Sequence, residues 1–309
     1  MISSRRCIPL CSLLVFIACA LPIGEGCNSS SGASSSSSLP VFSIYWSVAV
    51  GDLNGDGKSD LAVADSSGIS ILLQNPNMPG TFLPRTAPGI GSWASSAAIA
   101  DINGDNKADL IATAAASVVV LLQNPAVPGT FSPPTNYGVG LQPIYAVVSD
   151  LNGDGKPDLA VANLGSPSDG TTSSVSVLLQ NPDASGAFLT AMNYKAGFRS
   201  SVVAIADLNG DGKADLAVAN NGGHEGGCPP DCGSAGAGVS VLLQAPFSPG
   251  QFQATTNYGG TDQVLSVAIA DINGDNKPDL VIAQGGGIVI RYQDPVTPGT
   301  FLPITMITN

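Results

Sequence analysis

Short apolar runs separated by polar turn residues dominate the chain. Runs of four to six residues rich in Val, Ala, Leu and Ile, such as 47–50 and 61–64, alternate with stretches of Gly, Pro, Asn and Asp. Runs of this length bounded by turn formers are typical of β-strands. The pattern therefore predicts an all-β chain with many turns.

These runs belong to a unit that occurs five times. A nine-residue motif, Asp-x-Asn-Gly-Asp-x-Lys-x-Asp, begins at Asp52, Asp101, Asp150, Asp207 and Asp271. Each copy is followed by an apolar anchor, then Gln, and then Gly-x-Phe; the anchors are Leu73, Leu122, Leu179, Leu243 and Tyr292. From each of the first four anchors to the next motif there are always 28 residues, so all length variation lies between motif and anchor. A fixed register of this kind is expected where each unit packs against copies of itself.

Each unit is interpreted as four strands. Strand A precedes the motif, strand B follows it, strand C carries the anchor, and strand D starts at the Phe of Gly-x-Phe; these are Phe82, Phe131, Phe188, Phe252 and Phe301. Four-stranded units of about 40–50 residues repeated around an axis are typical of propellers. The sequence predicts a β-propeller of five four-stranded blades over residues 40–309. An open β-solenoid, or a larger ring closed with another chain, is the alternative.

The motif has the chemistry of a calcium loop. It places side-chain oxygens at positions 1, 3, 5 and 9, and Ca²⁺ takes six to eight oxygen ligands. Position 7 would supply its carbonyl, with its Lys side chain directed to solvent, while Gly at position 4 allows the sharp turn and Gly or Asn at position 6 suits left-handed backbone. An Asx-rich turn without metal is the alternative, but its carboxylates would repel one another. We expect about five Ca²⁺ ions with these side-chain ligands: Asp52, Asn54, Asp56, Asp60, Asp101, Asn103, Asp105, Asp109, Asp150, Asn152, Asp154, Asp158, Asp207, Asn209, Asp211, Asp215, Asp271, Asn273, Asp275 and Asp279.

Composition and charge agree with this interpretation. Hydrophobic residues make up 44% and charged residues 11% of the 309 residues, which does not suit a disordered chain or a helical bundle. The net charge of −12 argues against nucleic acid as a partner. Fifteen of the 23 acidic residues lie in the five motifs, so the acidity is mostly ligand charge.

The N-terminal sequence predicts export. Arg5 and Arg6 precede an apolar run over 8–20 that ends in a small-x-small pattern, as in a cleaved signal peptide. We assign 1–20 as signal peptide and 21–39 as a flexible Ser/Gly-rich linker, and expect a secreted or surface protein. Lipidation of Cys19 or Cys27 is the alternative, and such an anchor is the one membrane contact we expect.

The variable connections are candidates for binding a partner. Both insertions, 164–174 and 221–238, lie between strands B and C, on the blade face that also carries the D–A connections. Candidate ligand-face residues there are Trp93, Tyr145, Tyr194, Phe198, Arg199 and His224, although the aromatic rings could equally pack between blades. Cys228 and Cys232 are expected to form a local disulfide, with a metal site involving His224 as the alternative.

The stretch Asp-Leu-Asn-Gly-Asp-Gly-Lys-x-Asp-Leu-Ala-Val-Ala, with Asn-Tyr-Gly-x-Gly at 136–140, resembles the FG-GAP or VCBS repeat. That repeat also builds the propeller of integrin α-subunits, which has seven blades where this chain has five repeats. The resemblance covers about residues 45–309. It implies a propeller with calcium ligands at loop positions 1, 3, 5, 7 and 9, and functions in adhesion, surface recognition or, in some members, polysaccharide cleavage.

We therefore expect a binding or adhesion scaffold for a glycan or an extracellular protein, and not an enzyme. The single histidine, His224, lies in a Gly-rich insertion without a recognisable triad. A polysaccharide-cleaving lyase or hydrolase on the same fold, and a purely structural repeat in a larger assembly, are the alternatives.

Overall fold

The computed structural model describes residues 45–166, 173–222, 237–260 and 262–306. Across these ranges the named elements are 19 β-strands in five antiparallel sheets, with no α-helix, so the all-β prediction is confirmed there. The leader, the linker, and His224, Cys228 and Cys232 lie outside the described residues. The part of the chain that the structure describes contains no helix that is long and apolar enough to cross a membrane.

The five sheets follow one another along the chain. The first contains β1 (Tyr45–Gly51), β2 (Asp60–Asp65) and β3 (Gly68–Leu72), and the second contains β4 (Ala94–Ala100), β5 (Asp109–Ala114), β6 (Ser117–Leu121) and β7 (Thr135–Gly138). The third contains β8 (Pro143–Ser149), β9 (Asp158–Asn163), β10 (Ser174–Leu178) and β11 (Met192–Lys195). The fourth contains β12 (Ser200–Ala206), β13 (Asp215–Asn221), β14 (Ala237–Leu242) and β15 (Thr256–Gly259), and the fifth contains β16 (Val264–Ala270), β17 (Asp279–Gln284), β18 (Gly287–Arg291) and β19 (Thr305–Met306). Spatial order equals chain order in every sheet, as expected for blades.

Strand D differs from the prediction. The predicted first residue, the Phe of Gly-x-Phe, forms only an isolated bridge with the Gln after the anchor, as in Gln180–Phe188. The named strand begins four residues later, where Met192 pairs with Val177. Between these two pairs, two residues of strand C face three of strand D, which is a β-bulge. In the first sheet a single Ile71–Thr86 bridge stands in place of a fourth strand, so one of the five predicted four-stranded units has three.

Consecutive sheets pack through apolar layers. The described residues form four core clusters, and each joins one sheet to the next. Between the third and fourth sheets, for example, Ala160 and Val175 lie in the same cluster as Leu216 and Leu242. Strands β1, β4, β8, β12 and β16 also pack in this order, each against the next. The arrangement is propeller-like, but none of the four described clusters joins the fifth sheet to the first.

Candidate metal centres

The five motifs form tight loops between the first and second strands of each sheet. In the first loop, Asp52 Oδ1 accepts the N–H of Gly55 at 2.7 Å, and Oδ2 accepts that of Gly57 at 2.7 Å. The same two bonds recur in the other loops: Asp101 with Gly104 and Asn106, Asp150 with Gly153 and Gly155, Asp207 with Gly210 and Gly212, and Asp271 with Gly274 and Asn276. Each loop therefore curls around its position 1 carboxylate.

Positions 3 to 6 complete this curl. Asn54 Oδ1 accepts the N–H of Asp56 at 2.9 Å, and Asp56 Oδ1 accepts that of Lys58 at 2.9 Å. Position 6 has a left-handed backbone, with φ of 79° at Gly57 and 62° at Asn106. This confirms the expected conformation of that position. The side chains at positions 1, 3 and 5 are half-buried or exposed in all five loops.

The lysines at position 7 do not simply extend into solvent as expected. In three loops the ammonium group lies beside the position 5 carboxylate, at 3.3 Å for Lys58, 3.8 Å for Lys107 and 3.4 Å for Lys213. Lys156 and Lys277 donate to the carbonyls of Pro182 and Pro295 in the following C–D turn. The position 5 carboxylate and these carbonyls attract the ammonium, although such exposed ion pairs add little stability.

Position 9 has a role that sequence reasoning missed. Asp60 is fully buried; its Oδ2 accepts the N–H of Leu53 at 2.8 Å, and its Oδ1 accepts that of Gln74 at 2.7 Å. Asp109, Asp158, Asp215 and Asp279 are equally buried and make the equivalent pair of bonds. Each of these carboxylates thus ties its loop to the strand that carries the anchor.

The Gln that follows each anchor also has a missed role. Gln180 Nε2 donates to the carbonyl of Ile102 in the preceding sheet at 2.7 Å and to that of Pro157 in its own sheet at 3.1 Å. Gln123, Gln244 and Gln293 reach the carbonyls of Leu53, Leu151 and Leu208 in the same way. These glutamines connect each loop to the next sheet, and their recurrence in all five repeats was the signal available in the sequence.

Family models match this repeating geometry. The FG-GAP-like repeat model matches residues 52–112 and 150–218, and the FG-GAP repeat model matches 198–243 and 264–295, together more than half of the chain. The chain belongs to the FG-GAP repeat family. The resemblance inferred from the loop residues is thereby confirmed.

Several solved structures of other proteins align with the chain. A lectin from Agrocybe aegerita, described as recognising non-reducing terminal N-acetylglucosamine, aligns with a TM-score of 0.51 at 19% identity, over 85% of this chain and 65% of the lectin. The Vibrio cholerae biofilm matrix protein Bap1 aligns with a TM-score of 0.46 at 17% identity, over 83% of this chain and 37% of Bap1. A 6-phosphogluconolactonase-like protein from Bacteroides uniformis aligns with a TM-score of 0.48 at 16% identity, over 83% of this chain and 80% of that protein. The chain thus spans under two-thirds of the lectin and about a third of Bap1, and no curated protein matches it.

Burial affects the charge of the position 9 carboxylates in the inner FG-GAP loops. It raises the pKa of Asp158 and of Asp215 to about 6, against the pull of the two backbone N–H donors that each accepts. The neighbouring loop carboxylates, such as Asp154 and Asp211, push in the same direction as burial. A nearby cation would favour the charged form of these carboxyls instead.

The donor set of the FG-GAP loops consists of oxygens alone, which Ca²⁺ prefers. Within the described ranges, no group of three or more His, Cys, Asp and Glu side chains is gathered as a ready-made cation site. Asp52 Oδ1 accepts the N–H groups of Asn54, Gly55 and Asp56, whereas Oδ2 accepts only that of Gly57 and keeps a lone pair for coordination. The donor chemistry therefore fits calcium, but the side chains at positions 1, 3 and 5 would have to turn toward one another to hold it.

The predicted ligand-face residues that the structure describes differ in their surroundings. Tyr145 and Tyr194 pack against the same apolar cluster between the third and fourth sheets, and the Tyr194 ring meets Phe252 edge-on at 5.5 Å. Trp93 is 41% exposed and precedes the second sheet. Phe198 is half-buried, and the adjacent Arg199 is exposed with φ of 56°. The alternative of packing between blades thus applies to both tyrosines.

A cleft of about 440 Å³ lies instead between two FG-GAP loops. It is lined by Asp150 and Asn152 of the third loop, by Asp207 and Lys213 of the fourth, and by Gln244. Charged and amide groups of both loops thus border one concave surface. Leu151, Ile205 and Pro249 also line the cleft, and a few polar groups among apolar side chains are usual in ligand pockets.

Proposed function

We propose that the chain is an exported, calcium-binding FG-GAP scaffold that binds a glycan or an extracellular protein and is not an enzyme. The observation that carries the proposal is the fivefold recurrence of one loop geometry, with oxygen donors at positions 1, 3, 5 and 9 of every copy. Bound calcium would neutralise the clustered carboxylates and hold each A–B hairpin in one conformation. The rigid sheets would then present their loops to the partner.

Thermal unfolding tests the calcium proposal. We expect the melting temperature to rise when calcium is added to chelator-treated protein, with an affinity of ~10⁻⁴–10⁻³ M as in extracellular modules. Asp150→Asn should reduce this rise, because it removes one carboxylate oxygen and its negative charge from the third loop. Asp183→Asn, in an exposed turn outside the loops, is the matched control and should leave it unchanged. An identical melting temperature in calcium and chelator would rule the proposal out.

The partner class is tested on a glycan array. The lectin that shares the fold makes terminal N-acetylglucosamine the first probe. If the cleft between the third and fourth loops binds the glycan, Lys213→Ala should weaken binding. Trp93→Ala should weaken binding if the glycan binds instead to the opposite face, which the sequence suggested. Binding to no glycan would leave an extracellular protein as the proposed partner.

Export and the absence of catalysis have separate tests. Mass measurement of the secreted protein would show cleavage after residue 20, or lipidation at Cys19 or Cys27. Incubation with uronate-containing and neutral polysaccharides, followed by analysis of chain length, tests the polysaccharide-cleaving alternative. Shortened products would overturn the non-enzyme part of the proposal.

A further inference from the structure

One interface recurs between consecutive sheets, and it has two unlike halves. The turn half belongs to the following sheet and consists of the Gln after the anchor, the Gly of the C–D turn and the strand A residue two positions before the motif, such as Ile99. The loop half belongs to the preceding sheet and consists of loop positions 2 and 3, the anchor and the first apolar residue of strand C, such as Ile69. Gln293 of the fifth sheet, for example, bonds the carbonyl of Leu208 in the fourth.

The turn glycine fits closely against the loop half. At Gly250, an added Cβ would lie 2.7 Å from Leu179 Cδ1 and 3.2 Å from Asn152 Cβ. The other three junctions have the same close approach, at Gly129 over Leu73, Gly186 over Leu122 and Gly299 over Leu243. Four copies of one asymmetric contact therefore join the five sheets.

Among the described residues, the first sheet carries a turn half with no loop half beneath it. Gln74 Nε2 donates to Ser59 of its own sheet at 3.3 Å instead of to a preceding sheet. Gly80 is exposed, and an added Cβ there would meet nothing within 4 Å. Val50 is 46% exposed, whereas its equivalent in the second sheet, Ile99, packs against Gly51.

The fifth sheet carries the opposite, a loop half that no turn half from the described part of the chain covers. Its position 2 residue, Ile272, is 45% exposed, whereas the four equivalent residues are at most 1% exposed: Leu53, Ile102, Leu151 and Leu208. Ile288 is 48% exposed, whereas its equivalent in the first sheet, Ile69, is 1% exposed. Leu265 adds a third exposed side chain on this sheet, at 51%.

We propose that the turn half of the first sheet in one copy of the chain docks onto the loop half of the fifth sheet in another copy. The occupant is a second copy because this chain already forms the same contact four times and displays both of its unmatched halves. Docking would bury the apolar side chains exposed at both ends. Contacts of this heterologous kind produce rings if the rotation closes and filaments if it does not.

Docking would also complete the fifth calcium loop. Each of the first four loops receives a Gln side-chain donor at its position 2 carbonyl from the next sheet. At Ile272 the equivalent donor would be Gln74 of the second copy. The self-association follows from the packing alone and does not depend on whether the loops hold calcium.

Sedimentation velocity across a range of protein concentrations tests the proposal, in calcium and in chelator. Ile272→Arg blocks the loop half and Val50→Arg blocks the turn half. Both positions are exposed in a single copy, so each variant should fold, with a melting temperature near that of the wild type. We expect wild-type protein to associate and both variants to stay monomeric. Val127→Arg, at a 51% exposed position in a turn of the second sheet, is the control and should associate like the wild type.

Mixing the two variants gives the decisive result. Each keeps the half that the other lacks, so an equimolar mixture should form dimers and nothing larger. Wild-type protein that stays monomeric at all concentrations would overturn the proposal; this is the result expected if each chain closes its own ring. A mixture of the two variants that remains monomeric would overturn it as well. Ile288→Arg blocks the same half as Ile272→Arg and replaces it if that variant does not fold.

Discussion

The two oxygens of each position 9 aspartate are shared between different parts of its sheet. In the third sheet, Asp158 accepts N–H groups from Leu151 in the loop and from Gln180 after the anchor. The carboxylate therefore helps to fix the hairpin before any cation arrives. Because it is also fully buried, its charge opposes folding unless something compensates it.

We predict that calcium-free protein loses stability as the pH rises from about 4 to about 6. Asp158 and Asp215 have a pKa raised from 3.8 to about 6, so the folded state binds more protons than the unfolded state in this window. The free energy of unfolding must then fall with rising pH. Urea unfolding in chelator from pH 4 to pH 7 measures this effect. The Asp158→Asn variant should show a shallower decrease than the wild type, and an equal slope in the two proteins would contradict the assignment.

Gln244 offers a second prediction at the level of single residues. Gln244→Met removes the donor to the buried Leu151 carbonyl, which should cost ~1–3 kcal/mol of unfolding free energy. The matched control is Gln74→Met, where the equivalent amide bonds only an exposed carbonyl of its own sheet. That change should stay within about 0.5 kcal/mol of the wild type. Urea unfolding at concentrations where the chain is monomeric compares the two, and equal losses would mean that the bridge between sheets adds no stability.

At the level of elements, each C–D turn has to place a glycine against the sheet before it. Gly250 and Gly80 have similar left-handed backbones, with φ of 73° and 82°, but only Gly250 contacts a preceding sheet. Gly80 therefore shows only the need for a left-handed backbone, whereas Gly250 shows that need together with the need for space against the preceding sheet.

We predict that Gly250→Ala is clearly more destabilising than Gly80→Ala. Both variants incur the cost of placing a Cβ in the left-handed region, ~1–2 kcal/mol. Gly250→Ala also forces Leu179 to move, because an added Cβ would lie 2.7 Å from its Cδ1; such overpacking typically costs a further ~1–3 kcal/mol. Unfolding of the monomeric variants gives the difference, and equal losses would show that the junction adjusts freely.

The sequence predicted the strands better than their exact pairing. Apolar runs and the Asp-rich motif located strands A, B and C, because these strands are buried and their turns have strong residue preferences. Strand D was placed four residues too early, since Phe188 and its equivalents pair with strand C but are followed by a bulge. A bulge adds one residue without changing the apolar pattern, so the pattern could not show it.

The candidate site was predictable in its chemistry and less so in its contacts. The loop residues indicated oxygen ligands because their types and spacing are local features of the sequence. The buried position 9 carboxylates and the Gln180 bridge depend on which sheet packs against which loop. The packing of Tyr145 and Tyr194 against the core likewise depends on how the sheets meet, so their sequence positions alone predicted them as ligand-face residues.

For the whole molecule, the number of repeats does not determine whether the ring closes. The constant 28-residue distance from each anchor to the next motif predicted similar sheets packed in series, and this is what the structure shows. Closure depends on the angle between consecutive sheets, which is summed over every interface. The pattern of apolar positions along the strands does not indicate that angle. The sequence therefore could not predict that the five sheets would share only four described core clusters.

Packing in series predicts a gradient of local stability along the chain. The three inner sheets are covered by core clusters on both faces, whereas the first and fifth sheets have a described cluster on only one. In repeat arrays stability is approximately the sum of each unit and its contacts with its neighbours, so the outer units open more easily.

Hydrogen exchange of the dilute chain should therefore show faster exchange in β17 and β18 than in the equivalent β9 and β10, even though β9 and β17 have nearly the same apolar pattern. Raising the protein concentration should slow exchange in the fifth sheet and leave the third unchanged, because only the exposed end gains a neighbour. Equal protection of all five sheets in dilute solution would instead show that the first and fifth sheets of one chain already meet.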